Sequence, residues 1–361
     1  MSSIRGASRR LLVGCRTTAD RQARGTGLCC FRVGPKNDVS LAGEYVCENP
    51  SYLLLSPDRR VVHTVHGDGH AVSSVGMDDS GALHVLSSQD LGGRNPVHLS
   101  FDATARWVVV ANHADGSLTS LPVEADGTLG PARAHLGGLS GPHQVVVDPV
   151  SEHVLVPDKG ADTVWEVQIA EDGSLTVVGG IHTTQGSGPR HLVVDSDRGL
   201  LHVLEELSCT ISTHAWCPGR PGHREAVGRV STLQPGLVAS QWRASEILWS
   251  PSRTRLFAGN RSGAGDSTPG GPDDDTIVEY AVHPFSGLPG SPRWHSSHGI
   301  RPRHFSVDEV NHAQGHEVLL TVANERSDTI ATLRRDSDGE FTPTADPIRT
   351  GSPTCVVWVD E

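Results

Sequence analysis

Seven copies of one short phrase, spaced about fifty residues apart, constrain this 361-residue chain more than any other feature. The phrase is a small or polar residue, usually followed by proline, then two variable positions, then an apolar run ending near Asp or Ser-Pro. It reads NPSYLLLSP from Asn49, NPVHLSFD from Asn95, GPHQVVVDP from Gly141 and GPRHLVVD from Gly188. A degenerate copy, ASEILWSP, starts at Ala244, and RPRHFSVD and SPTCVVWV follow from Arg301 and Ser352. Successive starts lie 46, 46, 47, 56, 57 and 51 residues apart. A period of this length is that of a β-propeller blade of four short strands.

The segment after each phrase supports a blade. A second apolar run ends in polar residues: HTVHG around His66, VVVANH to His113, VLVPDKG with Lys159, LHVLEE to Glu206, LFAGNR to Arg261 and LTVANE to Glu325. A third run (LTSLPV, VWEVQI, TISTHA, IVEYAV, IATLRR) often leads into EADGTL, AEDGSL or RDSDGEF. Asp-Gly between alternating segments is a strong hairpin signal. The strand near Leu11–Gly14 has no phrase before it, and the phrase at Ser352 has no room for a second strand. The C-terminal strand, Cys355–Val359, is therefore expected innermost in the blade that the N-terminus completes, which removes an exposed sheet edge. The expected fold is all-β: one seven-bladed propeller of four antiparallel strands per blade over residues 10–361, after a flexible stretch at 1–9. CPGRPGHREAVG after Trp216 and SGAGDSTPGGPDDDT after Arg261 read as loops, with Asp273–Asp275 at a solvated tip.

Composition narrows the class. Hydrophobic residues make up 36%, Gly 40, Pro 23 and Met 2, which disfavours long amphipathic helices. No run of 18 apolar residues suggests a membrane span, and a net charge of −12 argues against a nucleic-acid binder. The seven cysteines are odd in number and include no C-x-x-C, so neither a disulfide framework nor a zinc ribbon fits. The apolar run before Gly14 is only three residues, short of a signal sequence. A cytoplasmic protein with reduced thiols is expected, and tandem Cys29-Cys30 reads as strand packing.

Innermost strands of a propeller line its channel, so equivalent phrase positions form rings. The third position gives Ser51, Val97, His143, Arg190, Glu246, Arg303 and Thr354; the fourth gives Tyr52, His98, Gln144, His191, Ile247, His304 and Cys355. Antiparallel return brings His113, Lys159, Glu206, Arg261 and Glu325 to the same mouth. Several arginines and histidines with few acids suit a small anion bearing carboxylate or phosphate, because guanidinium forks bind oxyanions in bidentate fashion. Glu206, surrounded by cations, is expected to stay ionised. Bland roles compete at each position. His98, His191 and His304 can tie neighbouring blades, Arg303 can form a blade-to-blade ion pair, Asn112 and Asn324 can cap turns, and Asp158 can be a turn contact. No H-E-x-x-H, tight His/Asp cluster or G-x-S-x-G occurs, so neither a metal nor a serine-hydrolase site is expected.

GPHQVVVDP, VPDKGADTVWEVQI, GPRHLVVD, the Glu-Leu-Ser of VLEELS and the Asn-Arg of AGNRS resemble the lactonase family of seven-bladed propellers. That family includes propeller-type 6-phosphogluconolactonases and carboxy-cis,cis-muconate cyclases. The resemblance runs from about Arg10 to Val359. It implies catalytic roles for His143, Arg190, Glu206 and Arg261; the ring and mouth positions add His98, His191, Arg303, His304, His113 and Lys159 as substrate-binding candidates. Glu205 stands where the family usually has asparagine, AGNRS lacks the usual following glycine, and Ser245 replaces a proline. The implied activity is opening, or in reverse forming, a lactone of a small anionic acid such as a sugar acid, with no cofactor. A muconate-type cycloisomerase and a non-catalytic scaffold or small-molecule binder remain alternatives, and no nucleic-acid or membrane partner is implied. The sequence leaves the oligomeric state open.

Overall fold

The computed structural model describes residues 8–35, 38–217, 225–263, 275–312 and 315–359. Seven antiparallel sheets form a closed ring of blades, six with four strands and one whose fourth strand is split in two. We number the blades by their phrases, so blade 1 opens at Pro50–Leu55 and blade 6 at Pro302–His312. Blade 7 has the expected closure. Pro353–Val359 is innermost, followed outward by Arg9–Cys15, Gly27–Val33 and Val39–Val46. Leu12 pairs with Val357 and Val13 with Val356, so the first and last strands lock the ring.

Among the described residues there is no single central core. The apolar side chains fall into seven clusters, each between two neighbouring blades. Adjacent residues of one strand serve opposite seams. Leu11 and Val13 pack toward blade 6, while Leu12 packs toward blade 1. Cys29 and Cys30 divide in the same way, as strand packing. This double burial explains why inner strands read as continuous apolar runs rather than alternating ones.

Three readings need correction. Residues 1–7 lie outside the described residues, but Arg9 belongs to a strand and pairs with Val33. In CPGRPGHREAVG, residues 218–224 lie outside the described residues, and the end of the segment enters the strand Ala226–Ser231. Of the acidic run, Asp273 and Asp274 lie outside the described residues. Asp275 is not at a solvated tip but fully buried, accepting from the backbone N–H of Ser262 at 3.1 Å and of Arg301 at 2.7 Å. Two buried backbone donors at the mouth of a blade need an acceptor, and an aspartate supplies it.

Candidate active site

A bulge at the start of six of the inner strands helps to build the channel wall. In blade 4, Pro189 pairs with Glu205 and His191 with Leu204, leaving Arg190 as the extra residue. The same slip occurs after Pro50, Pro96 and Pro302, and at the equivalent point of blade 7. A bulge re-aims a side chain and ends regular pairing. Here it turns Ser51, Val97, Arg190, Arg303 and Thr354 into the channel. Blade 5 corrects the sequence reading by one residue. Ala244 pairs with Asn260 and Ile247 with Ala258, so Ala244, not Ser245, stands in proline's place. The phrase of that blade therefore begins at Arg243. Ser245 joins the third-position ring, and Glu246 takes the fourth position occupied elsewhere by His98, His191 and His304.

The rim is set by backbone bonds between the residue opening each phrase and the residue ending the second strand. The N–H groups of His113, Lys159, Glu206 and Glu325 donate to the carbonyls of Asn95, Gly141, Gly188 and Arg301. Arg16 does the same with Ser352, and Arg261 pairs with Arg243. Topology thus brings the expected mouth residues to one level, and adds Arg16.

Glu206 is the hub. Its carboxylate meets Lys159 Nζ at 2.9 Å, Arg190 Nη1 at 2.8 Å and Arg261 Nη2 at 3.6 Å, with all but the lysine deeply buried. Burial pushes the carboxyl upward, but Arg190, Arg261 and Lys159 together hold it well below the usual carboxylate range. It is ionised, as expected. Arg190 Nη1 also donates to His143 Nε2 at 2.5 Å, and Arg190 Nε donates to the Ser245 carbonyl at 2.6 Å. A guanidinium can only donate, so His143 Nε2 is an acceptor and its proton sits on Nδ1. Burial, then the Arg190 charge, drives the His143 pKa well below that of free imidazole, which keeps the ring neutral. Burial also lowers Arg261, to about 9.

The four motif residues form one chain of contacts, but they do not line one pocket. His143 and Arg190 face a narrow inner chamber of about 30 Å³, shared with His191, Glu246, Arg303 and His304. Glu206 and Arg261 face an outer cavity of about 300 Å³ with Lys159, Arg243 and Arg301. The inner chamber holds water at most; the outer one has the volume of a small-molecule site.

The remaining expected residues divide. His98 Nδ1 accepts the Val145 N–H and His304 Nδ1 the Val356 N–H, both at 3.4 Å, while Gln144 Oε1 accepts the Leu192 N–H at 2.7 Å. Each fourth-position side chain reaches the next blade's fifth-position backbone, so the tie between blades is their geometry. His191 instead bonds Glu246 at 2.6 Å, because Glu246 already accepts its own neighbour's N–H. His98 lines neither cavity and stacks on Tyr52 with ring centroids 4.0 Å apart. His113 stands edge-on to His143 at 5.4 Å. Arg303 pairs with Glu325 of its own blade at 3.5 Å, and Arg16 of blade 7 meets the same carboxylate at 3.4 Å. Asp158 is a turn contact, accepting from Ser140 N and Trp165 Nε1. Arg243 and Arg301 escaped the sequence reading, although both open their phrases where other blades have Asn, Gly or Ser. Among the described residues, no three His, Cys, Asp or Glu side chains are grouped to hold a metal ion.

A closed seven-bladed propeller with a buried His–Arg–Glu–Arg chain at its channel mouth defines a class of propeller enzymes. Residues 10–358 match the model of the family described as Lactonase, 7-bladed beta-propeller, and the chain belongs to that family. It is 26% identical over 343 residues to a 6-phosphogluconolactonase of Formosa agariphila, covering 86% of this chain and 89% of that one. A 6-phosphogluconolactonase of Bacillus subtilis is 25% identical over 329 residues, covering 87% and 88%. The structure of a periplasmic gluconolactonase of Pseudomonas aeruginosa superposes with a TM-score of 0.83 at 26% identity, covering 98% of this chain and 99% of that one. Among the described residues, no helix is long and apolar enough to cross a membrane.

Proposed function

We propose that the chain hydrolyses the lactone of a small anionic sugar acid bound in the outer cavity, with the reacting end where Glu206 and Arg261 on its wall meet Arg190 and His143 of the inner chamber. The observation that carries this reading is Glu206 bound by Lys159, Arg190 and Arg261 on the cavity wall, with neutral His143 on the same Arg190 nitrogen. The names of the relatives favour hydrolysis over cycloisomerisation. A carboxylate held so far into its ionised form is a weak base. Its oxygens are taken up by the three cations that it fixes, and His143 Nε2, an acceptor on the Arg190 nitrogen, serves as the proton acceptor. A lactone carbonyl oxygen competing for the Arg190 Nη1–H releases His143 Nε2. Water then attacks the carbonyl carbon and passes its proton to Nε2, while Arg190 and Arg261 stabilise the oxyanion. Collapse breaks the ring C–O bond, and the imidazolium returns the proton to the departing ring oxygen. The product is the free hydroxy acid.

The test is acid release from 6-phosphogluconolactone and gluconolactone, followed at constant pH against the spontaneous rate. Turnover by the wild type that His143→Ala reduces supports the reading, and a rate equal to buffer alone for both lactones overturns it. The odd cysteine count without a C-x-x-C pair supports placing the chain in the cytoplasm; cell fractionation checks that placement.

A further inference from the structure

We infer that Glu246 is a positioning residue for the reaction: through His191 it sets a negative charge one ring away from His143 and stabilises the imidazolium that forms there. The inference rests on the lactonase reading of the same channel. The blade 4 tie departs from those of blades 2, 3 and 6, which end on backbone N–H groups. Gln144 makes such a tie with a neutral amide, so this position needs no charge to join two blades. Glu246 occupies the same position of blade 5 as a carboxylate, 1% exposed. It is the single carboxylate among the described residues lining the inner chamber. Burying a carboxylate carries a desolvation cost that an amide largely avoids, so the charge calls for a role outside the tie.

The proton positions follow from the acceptors. Glu246 Oε1 accepts the Ile247 N–H at 3.1 Å, and His191 Nδ1 donates to the same oxygen at 2.6 Å. Burial, then the Arg190 charge, keeps the His191 ring neutral, so its Nε2 is bare. His304 Nδ1 accepts the Val356 N–H, which puts its proton on Nε2, and that nitrogen faces Glu246 Oε2 at 3.8 Å. Among the described residues Glu246 pairs with these two imidazoles and with no arginine or lysine. Burial pushes its carboxyl up, and the His304 and Arg190 charges pull it back. Tyr52 and Cys355 face it from blades 1 and 7 and stay protonated, chiefly through burial. His191 stands 5.3 Å from His143 between ring centroids. His143 has Arg190 on its Nε2 and His113 edge-on at 5.4 Å, and its buried Nδ1 has no hydrogen-bond partner among the described residues. Arg190, His191, His113 and Lys159 all disfavour a positive charge on that ring. Glu206 is already shared among three cations. Glu246 is the remaining carboxylate of the chamber, and its charge favours the imidazolium that has taken the proton of the attacking water.

Glu246→Gln keeps the shape and removes the charge, and Gln is the residue blade 3 already carries at that position. Glu246→Asp keeps the charge. A thermal melt establishes folding, and kcat and KM for gluconolactone and 6-phosphogluconolactone are measured from pH 5 to pH 8. In Glu246→Gln, kcat is expected to fall by roughly 10- to 30-fold, the worth of one unit charge a ring away at the effective dielectric of a protein interior. KM is expected to hold, because the charge acts only once the imidazolium has formed. The raised Glu246 carboxyl takes its proton above the ordinary carboxylate range as pH falls, and kcat is lost with the charge. The acid limb of kcat therefore moves to lower pH in Glu246→Gln, and Glu246→Asp recovers most of the wild-type rate. An unchanged kcat in Glu246→Gln, a loss carried by KM, or an equal loss in Glu246→Asp overturns the proposal while the lactonase reading stands. A Glu246→Gln chain that does not fold makes the charge structural and overturns it as well. If the wild type hydrolyses neither lactone, the lactonase reading fails, and NMR of protein labelled with ¹⁵N-histidine decides the effect on His143 by itself. At the lowest pH where wild type and Glu246→Gln both stay folded, a smaller protonated fraction of His143 in the variant supports the proposal, and equal fractions overturn it.

Discussion

Glu206 is one buried carboxylate answering for three cations, and this changes what its replacement does. From the sequence, Glu206→Gln is a shape-neutral removal of a base that leaves the melting temperature almost unmoved. In the structure it leaves Lys159, Arg190 and Arg261 uncompensated inside the channel wall. Breaking a buried ionic network costs about 3–5 kcal/mol. We therefore expect Glu206→Gln to lower both turnover and melting temperature, and differential scanning calorimetry with an unshifted transition would contradict this. Arg190→Ala removes the donor to Glu206, His143 and the developing oxyanion together. Its kcat/KM is expected to fall by at least 10²- to 10³-fold, the cost of one lost oxyanion donor. Steady-state kinetics showing less than a tenfold loss would remove Arg190 from the reacting end.

At the scale of strands, the seam between the first and last blades is a tight joint with a clear physical cause. A Cβ on Gly14 would lie 2.2 Å from the Pro50 carbonyl oxygen, while Gly14's own carbonyl accepts from Thr354 Oγ1. The contact is backbone on one side, so it cannot rotate away. Gly14→Ala is expected to destabilise by about 1–3 kcal/mol, the usual cost of overpacking. Denaturant titration resolves a change of that size, and a neutral result would mean that blades 7 and 1 can slide apart. The fourth-position ties make the same point about legibility. His98, Gln144 and His304 look like channel ligands in a one-dimensional reading. Their acceptor atoms are used by the next blade's backbone.

For the whole ring, burial keeps many imidazoles neutral. His63 and His202 are lowered to about 4, and His98, His143 and His191 fall well below the free value, in each case mainly through burial. The unfolded chain protonates these groups first as pH falls through about 6.5, so it gains protons that the folded state refuses. Stability is complete above that pH and declines below it, with Glu206 adding a further loss below the ordinary carboxylate range. Melting temperatures measured from pH 8 to pH 4.5 should fall steadily on the acid side, and a flat profile would show that the buried histidines do not control it. Deleting residues 352–361 removes the innermost strand of blade 7 and leaves the ring open. We expect insoluble protein, and a soluble truncation with a cooperative melt would show that closure is dispensable.

The repeat period, the blade count, the joining of the two ends and the motif residues of the mouth were legible in the sequence because each depends on local order. Turn residues punctuate strands, and equal spacing in a closed ring makes equal positions meet. The tertiary structure alone decided what depends on register. One residue of slip in blade 5 moved Glu246 from the third ring to the fourth and made Arg243 a rim cation. Whether His98 faces ligand or backbone, and whether the motif residues share one cavity or bridge two, depend on bulges and packing across seams. In a strand a single-residue shift reverses every side chain, and the degenerate fifth phrase, which lacks proline, carries no local signal strong enough to set that shift.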